Sequence, residues 1–269
     1  MSDPDALVTT EDRDKVRIIR LNRPKRKNAL TGSLGWAIVN AIREAAADDD
    51  IWVIGLTGAG DGFCSGLDLS DAGSNEGNPL SPQSQMTDEL GWVSRFPLVM
   101  REECEKPIVG GINGVAVGAG FSLAMATDVR IASSSARFLA GYARAGTSPD
   151  GGLTWTLAQA IGYEGALRFL LEQEMISADD ALARGIVGEV APEGEFEARF
   201  LAYCELLAGV SPIAARQTKS MVGRALELPS LRGHLSIEIA AARRGLQTED
   251  SKEAVRAIME KRKPVFTGR

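Results

Sequence analysis

The chain has 269 residues, 44% of them apolar and 25% charged, with a formal net charge of −6. That length supports one large domain, or one domain with a small appendage, and the acidic balance disfavours diffuse nucleic-acid binding. No window reaches the ~18 uninterrupted apolar residues of a membrane span, and one histidine, His234, leaves metal sites and Ser-His-Asp triads little to work with.

The N-terminal stretch M-S-D-P-D-A-L-V-T-T-E-D-R-D is acidic and has no apolar h-region, unlike a secretory leader. Val16–Leu21 (V-R-I-I-R-L) reads as a strand, and the basic turn N-R-P-K-R-K-N follows it. Thr31 or Ser33 can cap a helix in which Leu34, Ile38, Ala41, Ile42 and Ala45 recur at three- and four-residue spacing. The run Asp48-Asp49-Asp50 ends it. Residues 51–56 are a second predicted strand, and a glycine-rich segment, T-G-A-G-D-G-F-C-S-G-L-D-L, comes next.

Residues 71–86 are polar and rich in Gly, Pro and Ser, and are expected as a long mobile loop. Helical pattern returns over 87–105, interrupted at Pro97. K-P-I-V-G-G-I-N-G reads as strand and turn, G-A-G-F-S-L-A-M-A-T as a small-residue helix, and D-V-R-I-A as a strand. A loop, L-A-G-Y-A-R-A-G-T-S-P-D-G-G, leads into a helix over 153–161. Up to here the alternation fits stacked ββα units. From Tyr163 onward helices dominate: Ser177 with Asp180 resembles a capping box, Ser211-Pro212 opens another helix, and the tail helix stops at Pro264. No exact internal repeat is present. Cys64, Cys104 and Cys204 are odd in number, widely spaced and without zinc-type spacing, so a reducing, cytoplasmic setting is expected.

Three segments in order carry a family resemblance: L-N-R-P-K-R-K-N-A-L at 21–30, F-C-S-G-L-D-L at 63–69 and I-N-G-V-A-V-G-A-G-F-S-L-A-M-A-T-D at 112–128. With S-A-D-D-A-L-A-R-G-I-V-G-E-V at 177–190, they resemble the crotonase (enoyl-CoA hydratase/isomerase) superfamily over roughly residues 15–269. The resemblance implies an α/β fold. Its core would be a spiral of ββα turns, residues 1–200, carrying the acyl-CoA site. A helical C-terminal region, 201–269, would mediate trimer formation, often as a dimer of trimers. It also implies an acyl-CoA thioester as ligand. No metal and no cofactor is expected beyond the coenzyme A of the substrate, and no nucleic-acid or membrane partner.

The family's shared device is an oxyanion hole of two backbone N–H groups, which by position belong here to Leu67 and Ala119. Gly66 and Gly118 flank them and would let the backbone approach a thioester oxygen closely. Ala119 sits where a helix begins, so its N–H is a first-turn donor with the helix dipole behind it. Ser65, Gly66, Asp68, Leu69 and Gly118 are assigned to the substrate surface by the same carry-over, with Asp68 fixing its loop. Arg26 and Lys27 are candidates for the coenzyme A phosphates and adenine, against the plain alternative of a solvated turn. Lys263 and Phe266 could reach a ligand in a neighbouring subunit, or form an ordinary exposed tail. Met86, Trp92 and Phe96 could line an acyl cavity, or simply fill core and cover a loop.

Where a typical hydratase of the family has its two glutamates, this chain has Ser122 and Tyr142. Hydration needs paired groups that hold a water and pass its proton on, so simple hydratase activity is not favoured. Ser122 could orient a ligand or pack a helix; Tyr142 could donate a hydrogen bond or wall the pocket. One acid remains in the right loop, Asp150 of S-P-D-G-G. Its position matches an aspartate that looks like a proton-transfer residue in dienoyl-CoA and ring-modified phenylacetyl-CoA isomerases. In 4-chlorobenzoyl-CoA dehalogenases the same position is the nucleophile, with an aromatic where Tyr142 stands, but their catalytic histidine has no counterpart here. Asp150 could also be the N-cap of the following helix, the less favoured of the two roles. The favoured reading is an enoyl-CoA isomerase in which Asp150 moves a proton. The alternatives are a hydratase, a hydrolase or dehalogenase using Asp150 as nucleophile, and a non-catalytic acyl-CoA-binding protein.

Overall fold

The computed structural model describes residues 6–70, 77–226 and 230–269. Residues 71–76, the first part of the segment expected as a mobile loop, lie outside them. The N-terminal hairpin pairs β1 (Val8–Arg13) antiparallel to β2 (Val16–Leu21). Helix α1 (Gly32–Ala47) starts at Thr31, whose hydroxyl accepts from the Leu34 N–H at 3.1 Å. Its predicted stripe, Leu34, Ile38, Ala41, Ile42 and Ala45, is buried throughout. Each fully buried Leu or Ile there is worth about 1.5–3 kcal/mol of transfer free energy, which is why the period alone locates the helix.

The rest of the core repeats one unit. Strands β3 (Val53–Gly58), β5 (Ile108–Ile112), β7 (Val129–Ser133) and β10 (Glu189–Ala191) extend the first sheet beyond β2 in parallel, in the order β1-β2-β3-β5-β7-β10. Each of the first three is followed by a short strand of a second sheet: β4 (Gly62–Cys64), β6 (Val115–Val117) and β8 (Arg137–Leu139). The second sheet is completed by β9 (Ile176–Ser177), antiparallel to β8. Helices α4 (Ala119–Ala126) and α5 (Leu153–Glu172) close the second and third turns of the spiral. This is the expected ββα superhelix. The strand expected at 51–56 begins two residues later, because residues 51 and 52 form the approach to it.

Two further segments depart from expectation. The second half of the polar segment contains α2 (Pro82–Thr87), with Ser81 as N-cap and Pro82 in the first turn. After α3 (Gly91–Pro97), residues 98–103 continue as a wider π-helical turn, because Pro97 has no N–H for an α-helical bond. Helix α6 (Ala178–Ala183) carries the predicted capping box, with both Ser177–Asp180 bonds made.

Among the described residues four helices end the chain: α7 (Phe196–Ala208), α8 (Pro212–Ala225), α9 (Leu231–Gly245) and α10 (Glu249–Glu260). The expected boundary at 200/201 falls inside α7. That helix buries Phe196, Phe200 and Cys204 against the first sheet, beside Ile18, Val53, Val109 and Ile131. The tail is tied down. The buried Asp250 accepts from the Thr267 and Gly268 N–H groups at 2.7 and 3.1 Å, and Phe266 packs half-buried against the cluster under α7. Among the described residues no single helix is long and apolar enough to cross a membrane.

Candidate active site

Strands β4, β6 and β8 run parallel, side by side, so their C-terminal ends lie along one edge of the second sheet. Neighbouring strands stand about 4.8 Å apart. The loops that leave Cys64, Val117 and Leu139 therefore gather at one place. Every catalytic candidate read from the sequence lies on these loops or on the helices they open.

The first loop is the Ser65–Gly66–Leu67 bend. Leu30 and Leu67 form a single parallel bridge: the Leu30 N–H donates to Gly66 O at 2.7 Å, and the Asp68 N–H donates to Leu30 O at 2.8 Å. In an extended segment successive N–H groups alternate in direction. Bonding at residues 66 and 68 thus turns the Leu67 N–H away from Leu30, and among the described residues it has no acceptor. The Leu67 side chain is 43% exposed and Leu69 is exposed beyond it.

The second loop is Gly118, in a positive-φ conformation (φ 54°), which stops β6 and opens α4. Gly118 O accepts from the Phe121 and Ser122 N–H groups at 2.9 and 3.0 Å. Ala119, the first helical residue, is left with its N–H unbonded among the described residues, as the end of any helix requires.

The two bends touch. Gly66 has φ 94°, and a Cβ there would lie 2.6 Å from Val117 O and 3.9 Å from Ala119 N. A Cβ on Gly120 would lie 2.3 Å from Cys64 O. Only glycine permits this approach, so two unbonded amides come to neighbouring positions. The Cys64 thiol is buried beneath them, and burial pushes it up to about 12, which keeps it neutral and unreactive.

The basic turn is stitched to the first bend. Lys27 O accepts from the Ser65 N–H at 2.9 Å, and the Ser65 hydroxyl donates to Arg26 O at 3.3 Å. Arg26 and Lys27 are exposed, and the Lys27 ammonium pairs with Asp61. Two residues hold this junction, Asn28, which the sequence did not single out, and Arg23 of the basic patch. Asn28, buried with φ 54°, accepts from the Arg23 N–H at 2.8 Å and donates to Ala59 O and Gly62 O at 3.0 and 2.7 Å. Arg23 pairs with Asp68 at 3.0 Å. The Ser70 hydroxyl and then the Arg23 guanidinium hold the Asp68 carboxyl at about 2. Asparagine before a turn tolerates the left-handed region, which was the available signal for Asn28.

The third loop carries the side-chain chemistry. The Tyr142 hydroxyl donates to Asp150 Oδ1 at 2.6 Å. Ser122 Oγ lies 2.8 Å from the Tyr142 hydroxyl and donates toward Asp150 O at 3.0 Å. Ser122 and Tyr142 are both buried, whereas Asp150 is exposed. Burial, then the adjoining Asp150 carboxylate, push the Tyr142 phenol well above its ordinary value, so it stays a donor. Ser122 sits three residues beyond Ala119 on α4, about 4.5 Å along the axis.

The alternative that Asp150 caps α5 is not met. Gly151 and Gly152 both take positive φ (59° and 72°), and α5 starts at Leu153 with no side-chain cap. The two glycines turn the chain before the helix begins, so the carboxylate faces Tyr142 and not the first-turn amides. A Cβ on Gly151 would lie 2.9 Å from Ser122 Cβ, which places this turn hard against α4.

Of the candidate cavity residues, Phe96 is buried core, Trp92 packs edge-on against it at 5.8 Å, and Met86 is 89% exposed. A separate apolar cleft of about 630 Å³ lies between the core and the C-terminal helices, walled by Pro97, Trp155, Leu207, Val210 and Val222. Gly152 alone of the glycine pair reaches it, and no candidate catalytic side chain lines it. Among the described residues no three His, Cys, Asp or Glu side chains gather as a metal site.

The chain is similar to known proteins in both sequence and fold. A sequence profile of the enoyl-CoA hydratase/isomerase family matches residues 11–269. A Rhodobacter capsulatus protein named "Probable enoyl-CoA hydratase" is 35% identical over 253 residues, 94% of each chain. The Escherichia coli 1,2-epoxyphenylacetyl-CoA isomerase is 32% identical over 257 residues, 94% of this chain and 95% of that one. The crystal structure of an enoyl-CoA hydratase from Bacillus anthracis superposes with a TM-score of 0.88 at 30% identity, covering 98% of this chain and 100% of that one.

Proposed function

Because this chain belongs to the enoyl-CoA hydratase/isomerase family of acyl-CoA enzymes, we propose that it shifts a double bond in an unsaturated or ring-containing acyl-CoA. The observation that carries this reading is the composition of the third loop. Asp150 is the carboxylate that the Ser122–Tyr142 pair touches, and neither Ser122 nor Tyr142 supplies a second. One carboxylate suffices to move a proton between two carbons of the same substrate. Adding water calls for two groups that share the water and its proton.

The Leu67 and Ala119 N–H groups accept the thioester oxygen as a hydrogen-bonded pair. Charge that moves onto that oxygen as the adjacent carbon loses a proton is stabilised there, and one such donor is typically worth about 3 kcal/mol in the transition state. Asp150 takes the proton from the alpha carbon of a beta,gamma-unsaturated thioester, and the electron pair spreads over oxygen, alpha and gamma carbons. The protonated Asp150 returns the proton at the gamma carbon, which leaves an alpha,beta double bond and regenerates the carboxylate. The cycle uses no cofactor beyond the coenzyme A of the substrate. Arg26 and Lys27 lie beside the first donor bend, where they meet the phosphates. The exposed Leu231, Leu235 and Ile239 of α9 support association of copies into a trimer.

A hydratase reading has the names of the relatives in its favour, since the Rhodobacter capsulatus protein, most of the other relatives and the Bacillus anthracis structure are called enoyl-CoA hydratases. A panel of acyl-CoA thioesters incubated in deuterated water and read by mass spectrometry separates the readings. Deuterium uptake at the alpha and gamma carbons with no added water supports the shift, and it disappears in Asp150→Asn. Addition of one water without a double-bond shift would replace it with hydration. A trapped aspartyl ester would make Asp150 a nucleophile, and tight binding with no turnover would leave an acyl-CoA-binding protein.

A further inference from the structure

The three-residue cluster has a direction that assigns roles within it. A tyrosine hydroxyl has one proton, and Tyr142 commits it to Asp150 Oδ1 at 2.6 Å, a length typical of a hydroxyl donating to a carboxylate. The 2.8 Å contact between Ser122 and Tyr142 is then donated by Ser122, whose single proton is shared with Asp150 O at 3.0 Å. Ser122 is 1% exposed and Tyr142 8% exposed, so water does not compete for either hydroxyl. The chain of donors runs Ser122 to Tyr142 to Asp150 Oδ1, and Oδ2 has no partner among the described residues.

The anchor of this chain matters as much as its direction. Ser122 lies on α4, whose first residue is Ala119. Gly151 packs on Ser122 Cβ, and Ser122 Oγ also reaches Asp150 O at 3.0 Å. One short helix thus carries a first-turn amide and the foot of the aspartate's support. With the N-cap role excluded by Gly151 and Gly152, no helix amide holds the carboxylate in its place.

Resting on the isomerase reading above, we propose that Ser122 and Tyr142 are positioning residues. They register the Asp150 carboxylate against the α4 amide, occupy Oδ1, and leave Oδ2 to carry the substrate proton. Ser122 acts through Tyr142 and neither touches the reacting carbons.

The test is a set of four proteins, the wild type, Tyr142→Phe, Ser122→Ala and the double variant, assayed on a turned-over acyl-CoA with melting temperature as control. Loss of a hydrogen bond to a charged group predicts that Tyr142→Phe lowers kcat roughly 10- to 100-fold, with KM within about twofold. Ser122→Ala lowers kcat by less, and adds nothing to Tyr142→Phe, because the pair is coupled. A wild-type kcat in Tyr142→Phe would overturn the proposal. So would multiplicative losses in the double variant, or a loss that follows melting temperature alone. These outcomes are distinct from failure of the isomerase reading, which is decided by whether Asp150→Asn keeps its activity.

Discussion

The two ends of the site are made of different material. The donor end is main chain: the amides of Leu67 and Ala119, brought together by bends that only Gly66, Gly118 and Gly120 can make. The carboxylate end is side chain: Ser122, Tyr142 and Asp150, linked by three short oxygen–oxygen contacts across one helix and one loop. A backbone device constrains which residues must be small but leaves the donor residues themselves nearly free. A side-chain device can be exchanged piece by piece. On the proposed reading, holding a thioester oxygen and choosing what happens to the acyl group are therefore separable tasks in this architecture.

That separation is open to attack, most forcefully at the carboxylate. Asp150→Asn should lower the exchange of alpha protons by about 10²–10⁴-fold, the usual worth of a general base, while thioester affinity by titration calorimetry stays near wild type. Gly66→Ala should lose both. The new Cβ would sit 2.6 Å from Val117 O at φ 94°, so the bends must separate, and loss of a donor costs about 10²–10³-fold in kcat. A Gly66→Ala protein that keeps affinity would show that the two amides do not share a ligand oxygen.

Smaller effects sharpen the contrast. Arg26→Ala and Lys27→Ala should each raise KM about two- to fivefold without changing kcat, as exposed charges contribute little individually, and the effect should shrink with added salt. Asp68 supplies a pH signature. Its folded carboxyl sits at about 2, below an ordinary value of about 3.9. A depressed value stabilises the fold above about pH 4, and that contribution fades as pH falls toward about 2. Asp68→Asn should flatten this part of an acid-unfolding curve, and carboxyl chemical shifts in the wild type should titrate with the same low midpoint.

How much of this was legible depended on whether the cause was local. Val16–Leu21, the stripe of α1 and the Ser177–Asp180 box were readable because period and capping act within a few residues. The bends at Gly66 and Gly118 were readable because glycine spacing and the start of α4 are local, and the resemblance pointed to both. Pro82–Thr87 was hidden by a polar composition that reads as loop, although Ser81-Pro82 is an ordinary helix opening. The cap stayed open as an alternative for Asp150 because the sequence shows an acid before a helix, not that Gly151 and Gly152 both turn left-handed. The Tyr142–Asp150 bond, the Asn28 clamp and the Asp250 tether of the tail depend on chain segments that meet only after folding.

The main-chain origin of the donors governs how this protein answers to genetics. A survey that replaces each residue with alanine leaves position 119 untouched, since alanine already stands there, and at Leu67 trims an outward side chain while keeping the N–H. Such a survey would rank Asp150 high and pass over the pair opposite it. Only exchange of the Leu67 or Ala119 amide for an ester, which deletes the hydrogen and spares the chain, addresses that pair directly.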